Sequence, residues 1–332
     1  MRTLITLLIT LALTASVLAG GQQAGSVGAQ FLKIGVGSKY LAMADVGVAT
    51  VGDAYAAYWN PAGMVEVENW SLVFTNVNWL TDIDLNYFAV ARQFENIGVF
   101  ATSVSVLSAD EQEITTVLDQ DGTGQSYRIS SYAIGLSFAR QLTNRFAFGA
   151  TGKYVGEEIG EVSSRGFGLD FGTLLYTGVR SLRIGMSVSN MGPGLKFTGA
   201  ALKIDYDDRD GDGSNDPVDA ELSTHSYSLP LIFRLGMAYD LEFGTNSNVT
   251  VAAELNDPSD SRQRGALGAE FGYLDRFFLR AGYKFRYDEQ TLALGGGLIA
   301  PIGEDTRLTI DYAWQDFGRL ESTQRFSIGF TF

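Results

Sequence analysis

The sharpest chemical pattern in this chain is a twelve-residue acidic run, Asp208-Arg209-Asp210-Gly211-Asp212-Gly213-Ser214-Asn215-Asp216-Pro217-Val218-Asp219. Oxygen donors stand at positions 1, 3, 5, 9 and 12 with glycine at 6, the spacing of a loop that wraps a hard calcium ion. Asp208, Asp210, Asp212, Asp216 and Asp219 would supply carboxylates and Ser214 its backbone carbonyl, so Ca2+ is the expected ion. Asp219 stands where such loops usually carry a glutamate. No helical pattern flanks the run, which excludes a full helix–loop–helix unit. Without a cation the five carboxylates repel one another, and the run is then a solvated acidic loop held by glycine turns.

A second set of charges sits inside apolar segments. Arg234, Glu254, Glu270, Arg280, Lys284, Arg286 and Asp311 each fall on the polar side of a stretch with period-2 hydrophobicity. Leu279, Ala281, Tyr283, Phe285 and Tyr287, for example, alternate with Arg280, Gly282, Lys284 and Arg286. Such charges either brace an interior by pairing, or offer a ligand or peptide-carboxylate site around Arg280, Lys284 and Arg286. Catalysis finds little support. With one histidine, His225, and no cysteine, the chain lacks thiol nucleophiles, cysteine metal sites and multi-histidine centres, and we expect no enzyme.

The elements that place these residues are strands. Fourteen candidates span 70–79, 84–94, 97–107, 127–141, 145–157, 164–176, 182–191, 227–241, 248–256, 264–274, 277–287, 291–301, 306–317 and 322–332. In the last, Phe326, Ile328, Phe330 and the terminal Phe332 share one face, while Ser327, Gly329 and Thr331 share the other. One greasy and one small polar face suit a wall between lipid and a wet lumen. The fold class is therefore all-β, a 14-stranded antiparallel transmembrane barrel. Long connections near 108–126 and 192–226 both follow odd-numbered strands, whereas those after even-numbered strands tend to be tight. Barrels of this kind have short periplasmic turns and long external loops, which puts both termini in the periplasm.

Residues 1–19 carry Arg2, an apolar core and Val17-Leu18-Ala19, the pattern of a secretory signal peptide. No other stretch approaches the ~20 apolar residues of a membrane-spanning helix. An aromatic content of 12% and 39 glycines suit close strands with aromatic girdles. A net charge of −14 argues against nucleic acid as a partner. Outer-membrane lipid is the expected surrounding medium. Residues 20–66 precede the wall and read as an N-terminal hatch or plug, with a short helix within 38–51, and residues 67–332 as the barrel.

Within that hatch, three segments carry a family resemblance: Phe31-Leu32-Lys33-Ile34-Gly35-Val36-Gly37, Leu41-Ala42-Met43-Ala44 and Tyr58-Trp59-Asn60-Pro61-Ala62-Gly63-Met64. Their order and spacing resemble the N-terminal region of the PorV/PorQ family, which is similar to the FadL-like long-chain fatty-acid transporter barrels. The terminal phenylalanine resembles the C-terminal signature of outer-membrane barrels. The resemblance implies a fourteen-stranded barrel in the bacterial outer membrane that engages a type IX secretion translocon or the C-terminal domain of its cargo. A FadL-like transporter of hydrophobic small molecules is the alternative, and a structural, calcium-binding surface barrel the third reading. Many relatives carry Gly-Gly where this chain has Ala44-Asp45. By its residues alone, Asn60, Pro61, Ala62 and Gly63 make a tightly specified turn that locks hatch to barrel.

Overall fold

The computed structural model describes residues 25–81, 83–206 and 218–332. Residues 1–19, expected from the sequence to be a signal peptide, lie outside them, as do Asp208, Asp210, Asp212, Ser214 and Asp216 of the acidic loop. Fourteen long strands form the wall: β1 (Trp70–Asn78), β2 (Ile83–Phe94), β3 (Gly98–Ala109), β4 (Ile129–Thr143), β5 (Phe146–Ile159), β6 (Val162–Tyr176), β7 (Arg183–Met191), β8 (Ile232–Phe243), β9 (Ser247–Pro258), β10 (Arg264–Tyr273), β11 (Phe277–Phe285), β12 (Leu292–Ile302), β13 (Thr306–Asp316) and β14 (Ser322–Thr331). Each pairs antiparallel with its chain neighbours, and β14 returns to β1 with Ser71 opposite Thr331. Closure leaves no open edge, so every strand finds its hydrogen-bond partners within the wall. The terminal residue completes the seam. Trp70 and Phe332 exchange backbone hydrogen bonds of 2.8 and 3.2 Å, and their rings stack at 6.2 Å.

The two faces of each strand have different solvents. In β11, Leu279, Tyr283 and Phe285 are exposed, while Arg280 and Lys284 are buried. In β14, Phe326, Ile328 and Phe330 are exposed and Arg325 and Ser327 are buried. A continuous apolar outer band of this kind is far larger than water tolerates on a protein surface, and lipid is the medium that accommodates it. Among the described residues no helix is long and apolar enough to cross a membrane.

Connection lengths follow the expected parity. The segments 95–97, 144–145, 244–246, 274–276 and 303–305 after even-numbered strands are tight, and the long segments 110–128 and 192–231 follow β3 and β7. Each long segment carries a small two-stranded ribbon, Gln112–Glu113 with Ser126–Tyr127 and Lys203–Tyr206 with Val218–Glu221.

Three local expectations change. First, β8 begins at Ile232 rather than at residue 227, because Pro230 has no N–H to give a ladder and Tyr227 pairs instead with Leu195. Second, β11 stops at Phe285. Arg286 adopts a left-handed φ of 64° and is exposed, so it does not join the lumen charges. That one left-handed residue shifts the alternation by a step and brings Tyr287, expected on the lipid face, to the lumenal cavity. Third, helix within 38–51 is confined to α1 (Ser38–Ala42), since Ala44 and Asp45 both take left-handed backbone, φ 61° and 64°.

The hatch fills the lumen with an apolar core. Phe31, Val36, Tyr40, Tyr55, Trp59 and Met64 pack against inward Val73, Val77, Leu85 and Tyr87 of β1 and β2. After α1 come a second short helix, α2 (Ala56–Trp59), and a 3-10 turn, Pro61–Glu66, that leads into β1.

Candidate functional site

Glycines on the inner wall set how closely the hatch approaches. A Cβ built on Gly268 would lie 2.5 Å from the Met43 carbonyl oxygen, and one on Gly149 2.5 Å from the Ala62 nitrogen. Gly172, Gly185 and Gly282 meet Asn60, Val48 and the Met43–Ala44 peptide in the same way. Met43–Ala44, Val48–Ala49 and Asn60–Ala62 therefore lie directly on a belt of side-chain-free positions spread over β5, β6, β7, β10 and β11. Gly295, in the Gly295-Gly296-Gly297 run, seats the Ala42 methyl. The glycine content of the strands is a docking surface for the hatch.

Asn60 ties that seat together. Its side-chain amide donates to the Val48 carbonyl at 2.7 Å and the Thr173 carbonyl of β6 at 3.0 Å, while Oδ1 accepts the Ala62 N–H at 3.1 Å. Pro61 supplies the fixed φ of the first residue of the 3-10 turn, and Pro61, Ala62 and Gly63 are all buried. One residue thus caps a helical turn, joins two parts of the hatch and reaches the wall.

The lumen charges form the second part of the seat. Arg280 donates from Nε to Glu270 at 2.5 Å and from Nη1 to Asp311 at 2.6 Å. Lys39 of α1 approaches the other oxygen of Glu270 at 3.9 Å. Glu254 accepts the Gly47 and Val48 N–H groups at 3.0 and 2.9 Å and faces Arg234 at 3.8 Å. Lys284 donates to Asp45 of the hatch and, at 2.5 Å, to Gln290. Six of the seven charges expected in the lumen are there, each within reach of an opposite charge. Through Lys39, Asp45 and the Gly47–Val48 backbone, the hatch itself engages Glu270, Lys284 and Glu254. Buried charges of this kind are costly to leave alone, and removing one partner typically costs about 3–5 kcal/mol.

Several charged groups of this interior escaped the sequence reading. Lys153 pairs with Asp170 at 2.7 Å, and Arg325 is buried on the lumen side of β14. Alternation alone would have found these three, since each lies on the polar side of its strand. Others belong to loops and hatch, where no period exists. Lys33 and Gln30 hydrogen-bond Asp260 at 2.7 and 3.0 Å. Burial pushes the Asp260 carboxyl up, but these hydrogen bonds prevail and hold it below its ordinary value. The Tyr40 hydroxyl donates to Asp53 at 2.8 Å. Burial raises the Asp53 carboxyl against the pull of Lys39 and of that hydroxyl.

Above the hatch, at the end carrying the long loops, lies a cavity of about 700 Å³. Phe31, Ile34, Asp45 and Trp59 form its floor. Strand ends supply the walls, with Trp79, Glu157, Arg234, Arg264, Tyr287 and Arg325 among them. Phe197 and Tyr227 of the 192–231 segment stand at its rim, their rings 5.4 Å apart. Of the six residues expected to hold calcium, only Asp219 is among those described, on the ribbon strand Val218–Glu221. His225 lies in the same long segment, and no group of three or more metal-ligating side chains is found among the described residues.

Several solved structures share this architecture. The toluene transporter TodX of Pseudomonas putida aligns with a TM-score of 0.60 at 14% identity, covering 90% of this chain and 99% of its own. The toluene transporter TbuX of Ralstonia pickettii gives 0.57 at 13%, with 89% and 97% covered. The monoaromatic hydrocarbon channel CymD gives 0.58 at 16%, with 90% and 98% covered. At such identities the likeness establishes the fold alone, a closed antiparallel β-barrel. A comparison with curated proteins finds no match. The sequence profile described as type IX secretion system protein PorV matches residues 19–207, more than half of the chain. That span takes in the hatch motifs, its glycine seat on β5–β7 and the first long loop, and the chain belongs to the PorV family.

Proposed function

We propose that this protein is a secretion-associated barrel of the outer membrane that engages a translocon or exported cargo through its long-loop end. Family membership over residues 19–207 is the observation that carries this reading. The seated hatch supports it: glycine contacts, the Asn60 bridge and lumen ion pairs hold residues 43–62 against the wall, leaving the loop end as the free working face. The 110–128 loop presents Val117 and Leu118, about 90% exposed (89% and 92%), at its tip, a small apolar contact suited to another protein. In this orientation both chain ends are periplasmic and the long loops external. We further propose that the acidic run takes one calcium ion, which orders the loop around Asp219, and that the barrel performs no catalytic step.

The cavity favours a second reading, in which a hydrophobic small molecule enters from the loop side, since the structural neighbours are hydrocarbon channels by name. One experiment separates the two. The protein is solubilised from outer membrane in detergent and captured, and co-purifying proteins and extracted lipids are both measured by mass spectrometry. Recovery of translocon components, or of cargo sharing a C-terminal domain, supports the secretion reading. A stoichiometric hydrophobic ligand with no protein partner overturns it.

A further inference from the structure

The vestibule holds more positive charge than its own carboxylates neutralise, although the chain as a whole is strongly acidic. Lys33 is paired with Asp260, Lys284 with Asp45, and Arg234 faces Glu254 at 3.8 Å, too far for a hydrogen bond. Glu157 is occupied by the Ala29 N–H and the Tyr227 hydroxyl, at 3.1 and 2.9 Å. Arg264 and Arg325 line the same cavity and have no carboxylate partner among the described residues.

Arg325 is the more telling of the two. It is 2% exposed, and its Nη1 makes one long bond of 3.4 Å to Gln315. Its Nε has no acceptor, and neither has that of Arg234. Buried guanidinium groups with free donors are rare, because their desolvation is normally offset by an anion. Aromatic rings are arranged around these cations. Arg325 lies 5.4 Å from the centre of the Trp79 ring, Arg234 5.3 Å from that of Trp59, and Arg264 4.6 Å from that of Tyr287. Phe31 and Ile34 add apolar floor. Free planar donors beside apolar surface match a ligand with one carboxylate and an apolar or aromatic body, since a guanidinium fork donates to both carboxylate oxygens at once.

We infer that the vestibule is a binding site for a carboxylate carried on an apolar or aromatic group. Arg325 and Arg264 hold the anion, and Trp59 and Trp79 receive the body. The carboxylate could be that of a peptide C-terminus or of a free amphiphilic acid, and the two share this chemistry. The site stands on the cavity alone and does not depend on the secretion reading.

The test uses the full chain in an uncharged detergent, with tryptophan fluorescence as readout. Four probes are titrated: 3-phenylpropionate, its amide, a short peptide ending in phenylalanine with a free carboxylate, and the same peptide amidated. At least one acid is expected to bind roughly tenfold or more tightly than its amide. That preference should vanish in the doubly substituted Arg264→Gln, Arg325→Gln barrel and persist in Arg286→Gln, whose side chain lies outside the cavity. Heat-modifiable gel migration confirms that each variant is a folded barrel. A tighter peptide acid identifies a chain terminus as the source, and a tighter small acid a free amphiphile. Equal binding of acid and amide, a preference that survives the double substitution, or no binding to a folded barrel would each overturn the assignment.

Discussion

Replacing Asn60 by alanine tests whether the Asn-Pro-Ala-Gly turn locks the hatch or touches a partner. The side chain makes three hydrogen bonds and is fully buried. Losing the bond to the Ala62 N–H removes a cap worth about 1 kcal/mol. The Val48 carbonyl has no other donor among the described residues, and a buried acceptor left open costs about 1–3 kcal/mol. The Thr173 carbonyl sits in the β6 ladder and should lose less. The sum is about 2–4 kcal/mol off the docking of residues 43–63, which raises their open population roughly 30- to 700-fold at about 1.4 kcal/mol per tenfold. Hydrogen exchange by mass spectrometry reads that factor directly in hatch peptides, with barrel-strand peptides unchanged. Asn60→Asp should be worse, because it aims oxygen at two carbonyls. Hatch exchange within a few-fold of the parent, accompanied by loss of the co-purifying partner, would refute the locking argument and make Asn60 a contact residue.

Two further outcomes follow from the same geometry. Gly282→Ala should loosen the hatch by about 1–3 kcal/mol, since its methyl meets the Met43–Ala44 backbone, while Gly152→Ala, with no neighbour nearer than 3.9 Å, should be neutral in the same exchange assay. Calcium removal by a chelator should expose the 192–231 segment to protease without altering the barrel's heat-modifiable migration, and calorimetry should return one ion per chain, weakened by Asp219→Asn. Protease sensitivity indifferent to calcium would sink the metal reading.

Much of the wall was legible because each residue of a barrel strand has a binary environment. Arg280 and Lys284 alternate with Leu279 and Tyr283, and only one assignment of faces keeps the charges out of lipid. Loop parity then carried the strand count through two long insertions. What alternation cannot carry is the encounter between segments distant in the chain. Lys284 meets Asp45 because the hatch folds back across the lumen, and no period links the two positions. Equally hidden is a single backbone flip. Arg286 takes a left-handed φ, its charge leaves the lumen, and Tyr287 goes in. Arg325 was legible as inward, yet its lack of a carboxylate depends on its neighbours across the lumen, which a strand pattern does not contain.

Ala44-Asp45 shows how these levels connect. Both residues hold left-handed backbone, at φ 61° and 64°, where the Gly-Gly expected from the family resemblance would sit without strain. Holding a non-glycine residue there costs about 1–3 kcal/mol. A glycine at position 45, however, would strip Lys284 of its carboxylate and leave a buried ammonium with no opposite charge, like Arg325, a loss of about 3–5 kcal/mol. The second figure exceeds the first, so in this chain the strained aspartate is the more stable choice. The departure from Gly-Gly is thus coupled to Lys284. An Asp45→Gly variant should unfold at lower temperature than the parent, and it should regain stability only when Lys284→Met removes the orphaned charge as well. Equal melting temperatures for the single and double variants would break that coupling.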